Sequence, residues 1–339
     1  MIARADVALD VPRVRQLSVG MRAYAEELAA RLPRVAPDLH FTILDRATAL
    51  DAREQISLPI ALRKTRARLV HFLSLYAPLA GPRPYVITIH DLIHLRFPGF
   101  FKRSVGPYYR TIVRAVCARA DRVITDDERT VADLEYFLGV RREKVRVIPL
   151  GVDDAFLAGG PPADWPRPYF LYVGNHREHK DLATLFRAWG NLDPSIAVDL
   201  LVTGDDDLDP AIHRAQRAHG VVRFLGTVDA EELARWYRGA VALVHPALCE
   251  GFGLPMLEAA VSGTPIIASD AAVPSLLRPF AQIFPARDAA MLERLLARSL
   301  ENRPDGEPAR RVAQFLTWDR CAERTAEVYR EVLQQQEGV

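Results

Sequence analysis

Short apolar runs alternate with helical patterns in the first half of the chain. The runs have the length of buried strands, and they lie at residues 7–11, 41–44, 69–73, 86–89 and 122–125. Residues 21–32, between the first two runs, carry apolar positions at helical spacing. This alternation predicts a parallel α/β sheet of the doubly wound type, in which ligands bind at the carboxyl ends of the strands.

The same alternation returns in the second half, after an irregular stretch. Prolines crowd residues 161–168 and predict a stiff linker without regular structure. Beyond it, apolar runs follow at 169–173, 200–202, 222–225, 241–244 and 266–268. We therefore expect two α/β domains, the first over 1–152 and the second over 153–317. Residues 318–335 carry apolar positions at helical spacing and predict a final long helix.

Composition narrows the classes of function. The 339 residues are 49% apolar and 26% charged, as in a soluble globular protein, and the formal net charge of +1 predicts no affinity for nucleic acid. Three cysteines lack the spacing of a metal site and favour a reducing compartment. The first residues are too charged for a signal peptide, and no apolar run approaches membrane-spanning length. The expected location is cytoplasmic.

A glycine-rich loop enters a helix at residues 250–258, which read Glu-Gly-Phe-Gly-Leu-Pro-Met-Leu-Glu. The glycines let the backbone approach a ligand closely, and Pro255 suits the first turn of a helix. A helix start offers unpaired N–H groups and the positive end of the dipole, which suit phosphate. Ionised Glu250 and Glu258 are hydrogen-bond acceptors that suit hydroxyl-rich partners such as a sugar and a ribose.

A second loop, residues 174–181, also lies between a predicted strand and a predicted helix. It carries Arg177 and Lys180, and cations in that position are placed to meet phosphate oxygens. The alternative is a set of solvated charges. Aspartates 205–207 could hold Mg²⁺ against a diphosphate, but they follow a strand and Pro210 predicts a helix start beyond them, so we expect no metal there.

Two loops of the first half hold further candidates. Residues 18–22 place Gly20 just before the helix predicted over 21–32. His90 and Asp91 come at the end of the strand over 86–89, where a polar side chain can reach a ligand.

Together these loops resemble those of retaining, nucleotide-sugar-dependent glycosyltransferases of family 4, the group 1 transferases, in particular at Glu250 and Glu258 with seven residues between them. The resemblance implies the GT-B fold, with two Rossmann-like domains facing across a cleft and the helix over 318–335 packing back on the N-terminal domain. It implies transfer of a hexose from a nucleotide diphosphate sugar to a hydroxyl of a glycan or lipid-linked acceptor, without a metal or other cofactor.

The resemblance also implies roles for single residues. It makes His90, Lys180, Arg177 and Glu250 catalytic. Residues implied to bind the donor are Gly20, Asp91, Gly174, Asn175, Thr227, Val228, Phe252, Gly253, Leu254 and Glu258. The chain departs from the family at Ser275, where relatives usually carry a glutamate.

Several alternatives stay open. A sugar-nucleotide epimerase shares the expected fold, and a non-catalytic donor-binding subunit of a transferase complex would share the binding loops. Residues 89–98 resemble mannosyl- and rhamnosyl-type members, which favours GDP-mannose over UDP-sugars. The basic and aromatic residues 96–119 are either an amphipathic surface helix or a peripheral dock on an anionic membrane.

Overall fold

The computed structural model describes residues 5–12, 19–46, 53–208 and 220–337. The chain forms two compact units: unit 1 is Met1–Gly151 with Thr317–Val339, and unit 2 is Val152–Leu316. Within the described residues no helix combines the length and the apolar character needed to cross a membrane. The helix start expected at Pro210 and Ser18 of the 18–22 loop lie outside the described residues.

Unit 1 is built on a six-stranded parallel sheet in the order β2-β1-β3-β4-β5-β6. Its strands are β1 (Val7–Pro12), β2 (Phe41–Arg46), β3 (Leu69–Phe72), β4 (Tyr85–Thr88), β5 (Arg122–Thr125) and β6 (Val145–Val147). Every residue of β3 and β4 is buried. Helices cover such a sheet on both faces, and this explains why its strands read as continuous apolar runs.

The helices of unit 1 differ in part from the expectation. They are α1 (Val19–Val35), α2 (Glu54–Thr65), α3 (Ile93–Arg96), α4 (Val105–Tyr108), α5 (Arg114–Arg119) and α6 (Glu128–Asp133). Because α1 begins at Val19, Gly20 lies in its first turn, and the prediction of a loop at Gly20 was wrong. Helix α2 was not predicted from the sequence, because its exposed face carries Ile56 and Ile60 and these hide the amphipathic pattern.

Residues 105–119 form one helical run, in which a π-helical segment, Tyr109–Val113, joins α4 to α5. Tyr109, Val113 and Val116 are buried in the core of unit 1. The exposed positions of the 96–119 segment include Lys102, Arg103, Arg110, Arg114 and Arg119. This segment therefore contains an amphipathic helix whose apolar side is used by the core.

Unit 2 repeats the architecture, with the strand order β12-β11-β10-β7-β8-β9 and all pairs parallel. Its strands are β7 (Tyr169–Tyr172), β8 (Asp199–Val202), β9 (Val222–Phe224), β10 (Ala242–His245), β11 (Ile266–Ser269) and β12 (Gln282–Phe284). Over its described residues, 152–208 and 220–316, the α-helices are α7 (Asp154–Leu157), α8 (Leu182–Gly190), α9 (Ala230–Gly239), α10 (Leu254–Val261), α11 (Ala289–Glu301) and α12 (Glu307–Ala313).

The strand order of unit 2 reverses direction between two neighbouring strands. The chain runs outward from β7 to β8 and β9, and then returns to place β10 on the other side of β7. The loops that leave β7 and β10 therefore separate at a topological switch point, which is where open parallel sheets bind ligands.

The last helix, α13 (Trp318–Glu337), belongs to unit 1 and packs against α1. Its buried face includes Ala322, Ala326 and Tyr329. At its outer side, Glu331 binds the guanidinium groups of Arg122 and Arg146, with 2.6 Å between Glu331 Oε1 and Arg122 Nη2. A buried apolar stripe flanked by ion pairs thus fixes the helix to the sheet of unit 1.

Candidate active site

The loops after β7 and β10 are joined by hydrogen bonds. The backbone N–H of Leu248 donates to the carbonyl of His179 at 2.8 Å. The Tyr172 hydroxyl donates to the carbonyl of Asn175 at 2.7 Å, which ties the start of the first loop to the end of its strand. A single 3₁₀ turn, Glu178–Lys180, then leads into α8 through Asp181, whose φ of 50° is left-handed. These contacts hold Lys180 beside the second loop.

Lys180, Glu250 and His245 form a buried polar cluster. The Lys180 ammonium pairs with Oε2 of Glu250. His245 Nε2 lies 2.9 Å from the same oxygen. The side chains of Lys180 and Glu250 are only 11% and 15% exposed, and that of His245 is fully buried. The structure therefore brings together two of the predicted catalytic residues and adds a histidine to which the sequence analysis gave no role.

The charge state of Glu250 follows from its neighbours. Burial alone would raise the pKa of its carboxyl. The Lys180 cation and the hydrogen bond from His245 outweigh burial and hold the pKa of Glu250 well below its usual range. Glu250 is therefore a carboxylate near neutral pH.

The start of α10 presents unpaired backbone donors. Gly253 caps the helix with φ of 80°, a left-handed conformation that glycine adopts without steric cost, and Pro255 occupies the first turn. The backbone N–H groups of Phe252, Gly253 and Leu254 make no hydrogen bond to any residue that the structure describes. Such a group of amides at a helix start is suited to bind an anion.

Glu258 lies on the same helix and has a different environment. It accepts a hydrogen bond from the Tyr237 hydroxyl at 2.9 Å. Burial raises the pKa of Glu258 to about 7; Asp153 adds to the rise and the Tyr237 hydrogen bond opposes it. The two glutamates of the 250–258 segment therefore differ in charge state near neutral pH.

The other predicted residues of unit 2 also follow strands of its sheet. Arg177 is exposed, and its guanidinium has no ion pair with the described residues. Asn175 accepts a hydrogen bond from the Arg177 backbone, and Gly174 donates to Thr203 Oγ1 at 3.1 Å. Thr227 and Val228 follow Gly226, which bridges to Gly204 beside the end of β8. Gly174, Asn175 and Arg177 thus follow β7, and Thr227 and Val228 follow β9.

The acidic run 205–207 is partly engaged by a neighbouring histidine. His176 Nδ1 pairs with Asp207, and His176 Nε2 lies 2.8 Å from the carbonyl oxygen of Thr203. Within the described residues, no group of three or more histidine, cysteine or acidic side chains has the geometry of a metal site.

In unit 1, the largely buried His90 pairs with the buried Asp126. His90 Nδ1 lies 2.6 Å from Asp126 Oδ2, and its ring meets the ring of Tyr24 edge-on with 4.7 Å between centroids. Burial opposes protonation, but the Asp126 carboxylate raises the pKa of His90. Its Nε2 is buried without a partner among the described residues. Asp126 was not predicted from the sequence, although it directly follows β5, the neighbour of β4.

The remaining candidates of unit 1, Asp91 and Gly20, lie at or near the starts of helices. Asp91 Oδ1 accepts a hydrogen bond from the backbone N–H of Ile93 at 3.1 Å, at the start of α3. Gly20 lies in the first turn of α1. His90, Asp91 and Gly20 thus belong to unit 1, whereas Lys180, Arg177 and both glutamates belong to unit 2.

Comparison with known proteins assigns both units. Residues 16–156 match the model of Glycosyltransferase Family 4, and residues 167–302 match that of Glycosyl transferases group 1. The chain is 24% identical to O-antigen chain mannosyltransferase B of Escherichia coli over 291 residues, which cover 80% of this chain and 76% of that protein.

Solved structures share the fold. Sucrose-phosphate synthase from Thermosynechococcus elongatus superposes with a TM-score of 0.75 at 21% identity, over 98% of this chain and 100% of that one. Anabaena HepE in complex with UDP and glucose has a TM-score of 0.73 at 16% identity, over 96% of this chain and 99% of that one.

The chain is a nucleotide-sugar-dependent glycosyltransferase of the GT-B fold. The fold assignment agrees with the parallel sheets of units 1 and 2. The comparisons therefore confirm the fold class and the enzyme class that the resemblance implied.

Removal of either charge from the buried pair should slow the glycosyltransferase strongly. Loss of one preorganised charge-stabilising group costs about 10²–10³ in turnover, so Lys180→Ala and Glu250→Ala should each fall in that range. Release of nucleoside diphosphate from the donor measures the rate, and circular dichroism checks the fold. Lys64→Ala, at an exposed position of α2, is the matched control. Wild-type turnover in a folded Lys180→Ala variant would contradict the assigned role.

Glu258 should make the stability of the enzyme depend on pH. Its pKa is raised from the ordinary 4.5 to about 7 on folding. The folded state therefore binds the extra proton, and the free energy of unfolding should fall as pH rises through that window, by about 1–3 kcal/mol. Urea denaturation at several pH values measures the slope. The Glu258→Gln variant should lack this decrease in the free energy of unfolding with rising pH. An unchanged slope would show that Glu258 titrates normally.

Proposed function

We propose that this glycosyltransferase moves a hexose, with mannose favoured, from a nucleotide diphosphate sugar to a hydroxyl of a glycan or lipid-linked acceptor. The proposal includes retention of the anomeric configuration and no requirement for a metal. The observation that carries it is the pairing of Lys180 with Glu250, close in the chain to the amides of 252–254 that no described residue binds. Cationic and N–H donors for a diphosphate thus lie beside a carboxylate acceptor for sugar hydroxyls.

The leaving diphosphate needs positive charge as the glycosidic bond breaks. Lys180, Arg177, whose guanidinium has no ion pair within the described chain, and the amides of 252–254 would supply it. The start of α1 at Gly20 would add a helix dipole. Because these protein groups provide the charge, a divalent metal is not required by the proposed reaction. Metal independence stays a prediction, which turnover in the presence of EDTA tests.

The two glutamates would bind different hydroxyl groups. Glu250 is held as a carboxylate and would accept hydrogen bonds from the sugar. Glu258 would accept from the ribose, and it can do so fully only when ionised. With its pKa near 7, donor affinity should weaken below neutral pH.

His90 would lie over the anomeric carbon of the sugar. Asp126 fixes the ring through Nδ1, so that Nε2, which binds no residue in the described ranges, can serve a ligand hydroxyl. Retention fits a front-face reaction, in which the leaving phosphate takes the proton of the acceptor hydroxyl and no enzyme nucleophile is needed. Product anomers identified by nuclear magnetic resonance would test retention.

The donor is proposed to be GDP-mannose. Support comes from the E. coli relative that is named a mannosyltransferase. HepE, which was solved with UDP and glucose, supports UDP-glucose as the rival. We also propose a cytoplasmic location, in keeping with three free, buried cysteines.

Thermal-shift screening should identify the donor. A ligand at about one hundred times its Kd stabilises the folded state by about 2.7 kcal/mol, so GDP and GDP-mannose should raise Tm more than UDP, ADP, CDP, dTDP and their sugars. Arg177→Ala should reduce the shift caused by the diphosphate, and GMP is the matched control ligand. Stabilisation by UDP alone would overturn the donor assignment.

Conversion of the donor without any acceptor would favour an epimerase, and binding without turnover would favour an accessory subunit.

Contact of residues 96–119 with an anionic membrane also stays a prediction. The segment contains no acidic residue, and its exposed cations suit anionic headgroups. Because its buried aromatic and aliphatic side chains fill the core, binding should be electrostatic and should weaken by about 0.15 M salt. Co-sedimentation with anionic and neutral vesicles measures this. Arg110→Glu with Arg114→Glu should abolish binding, Arg187→Glu on α8 is the control, and no binding at low salt would contradict the contact.

A further inference from the structure

His245 ends strand β10 and is fully buried. Its ring stacks on Tyr172 of the adjacent strand β7, with 6.2 Å between centroids and 12° between planes. Its Nε2 lies 2.9 Å from Glu250 Oε2, and its Nδ1 is buried with no hydrogen-bond partner in the described part of the chain. Two strands therefore fix the ring, and one ring nitrogen serves Glu250.

These contacts decide where the imidazole proton lies. An ionised carboxylate only accepts hydrogen bonds, so His245 Nε2 must carry a proton. A proton on Nδ1 as well would bury a positive charge and an unpaired donor, which is costly. The Lys180 ammonium already balances the charge of Glu250. The arrangement therefore requires a neutral ring with its proton on Nε2.

The two donors of the cluster converge on one oxygen. Lys180 and His245 both bind Oε2 of Glu250, and the other oxygen, Oε1, has no partner among the described residues. Two donors on one oxygen fix the carboxylate more closely than a flexible lysine alone, because the imidazole is held by a strand. Oε1 is thereby left to accept a hydrogen bond from outside the protein.

We propose that His245 is a positioning residue that locks Oε2 of Glu250 and presents Oε1 to a hydroxyl of the donor sugar. The identity of that hydroxyl rests on the proposed function, whereas the proton position and the division of roles between the two oxygens do not. If Lys180 moves toward the diphosphate of a bound donor, His245 is the contact that keeps Glu250 in place.

The proton position can be measured without activity. Long-range ¹H–¹⁵N correlation spectra at neutral pH should show His245 with a protonated Nε2 and an unprotonated Nδ1, and His245→Gln assigns the signals. A proton on Nδ1, or a doubly protonated ring, would overturn the proposal. A chain that shows the expected tautomer but transfers no sugar would refute the proposed function and leave the positioning of Glu250 intact.

Two variants separate positioning from packing. His245→Leu fills the space without a donor and should lower kcat/KM about 10- to 100-fold, the effect of a hydrogen bond to a charged group. His245→Gln can donate through its amide and should recover most of the loss. His40→Gln, with a side chain 71% exposed, is the matched control.

Calorimetric titration supplies the decisive readout. Affinity of His245→Leu for the nucleotide diphosphate alone should equal that of the wild type, while affinity for the nucleotide sugar should fall, because only the sugar meets Oε1. Equal losses for both ligands would indicate general damage to the fold and overturn the proposal, as would wild-type kcat/KM. If His245→Leu does not fold, the glutamine variant and the tautomer spectra still decide.

Discussion

The buried pair of Lys180 and Glu250 is the constraint around which unit 2 is organised. A buried charge without a partner is strongly destabilising, so loss of either residue leaves the charge of the other poorly compensated. The pair joins two loops that are 70 positions apart in the sequence. The protein must therefore hold these two loops at fixed relative positions without the help of a ligand.

The sheet of unit 2 fixes the positions of these loops. Strands β7 and β10 are neighbours, and the hydrogen bond from Leu248 to His179 continues their contact beyond the strand ends. Ser269, at the end of β11, donates to the carbonyl of Ala247 and supports the second loop from its other side. A site of this kind is preorganised: its charges are fixed before the reaction rather than gathered during it.

Most strands and the two main loops of the candidate site could be predicted from the sequence. The residues that were not predicted are those whose positions depend on contacts distant in the sequence. Strands such as β3 and β10 were found because burial on both faces makes them continuously apolar. The loops at 174–181 and 250–258 were found because glycine, cations and a helix start lie together in the sequence. The partners Asp126 and His245 were not found, because pairing across strands depends on strand order, which no short segment encodes. Gly20 was misplaced because glycine before a helix pattern fits a loop and a first turn equally well.

The attachment of α13 to unit 1 has a consequence for biosynthesis. Unit 2 is an insertion in unit 1, since the chain leaves unit 1 at Gly151 and rejoins it at Thr317. The ribosome therefore delivers all of unit 2 before the helix that completes unit 1 emerges. Until then, α1 lacks the helix that it packs against in the folded protein. Arg122 and Arg146 likewise lack their partner, Glu331 of α13. Unit 1 is thus the first unit to be synthesised in part and the last to be completed.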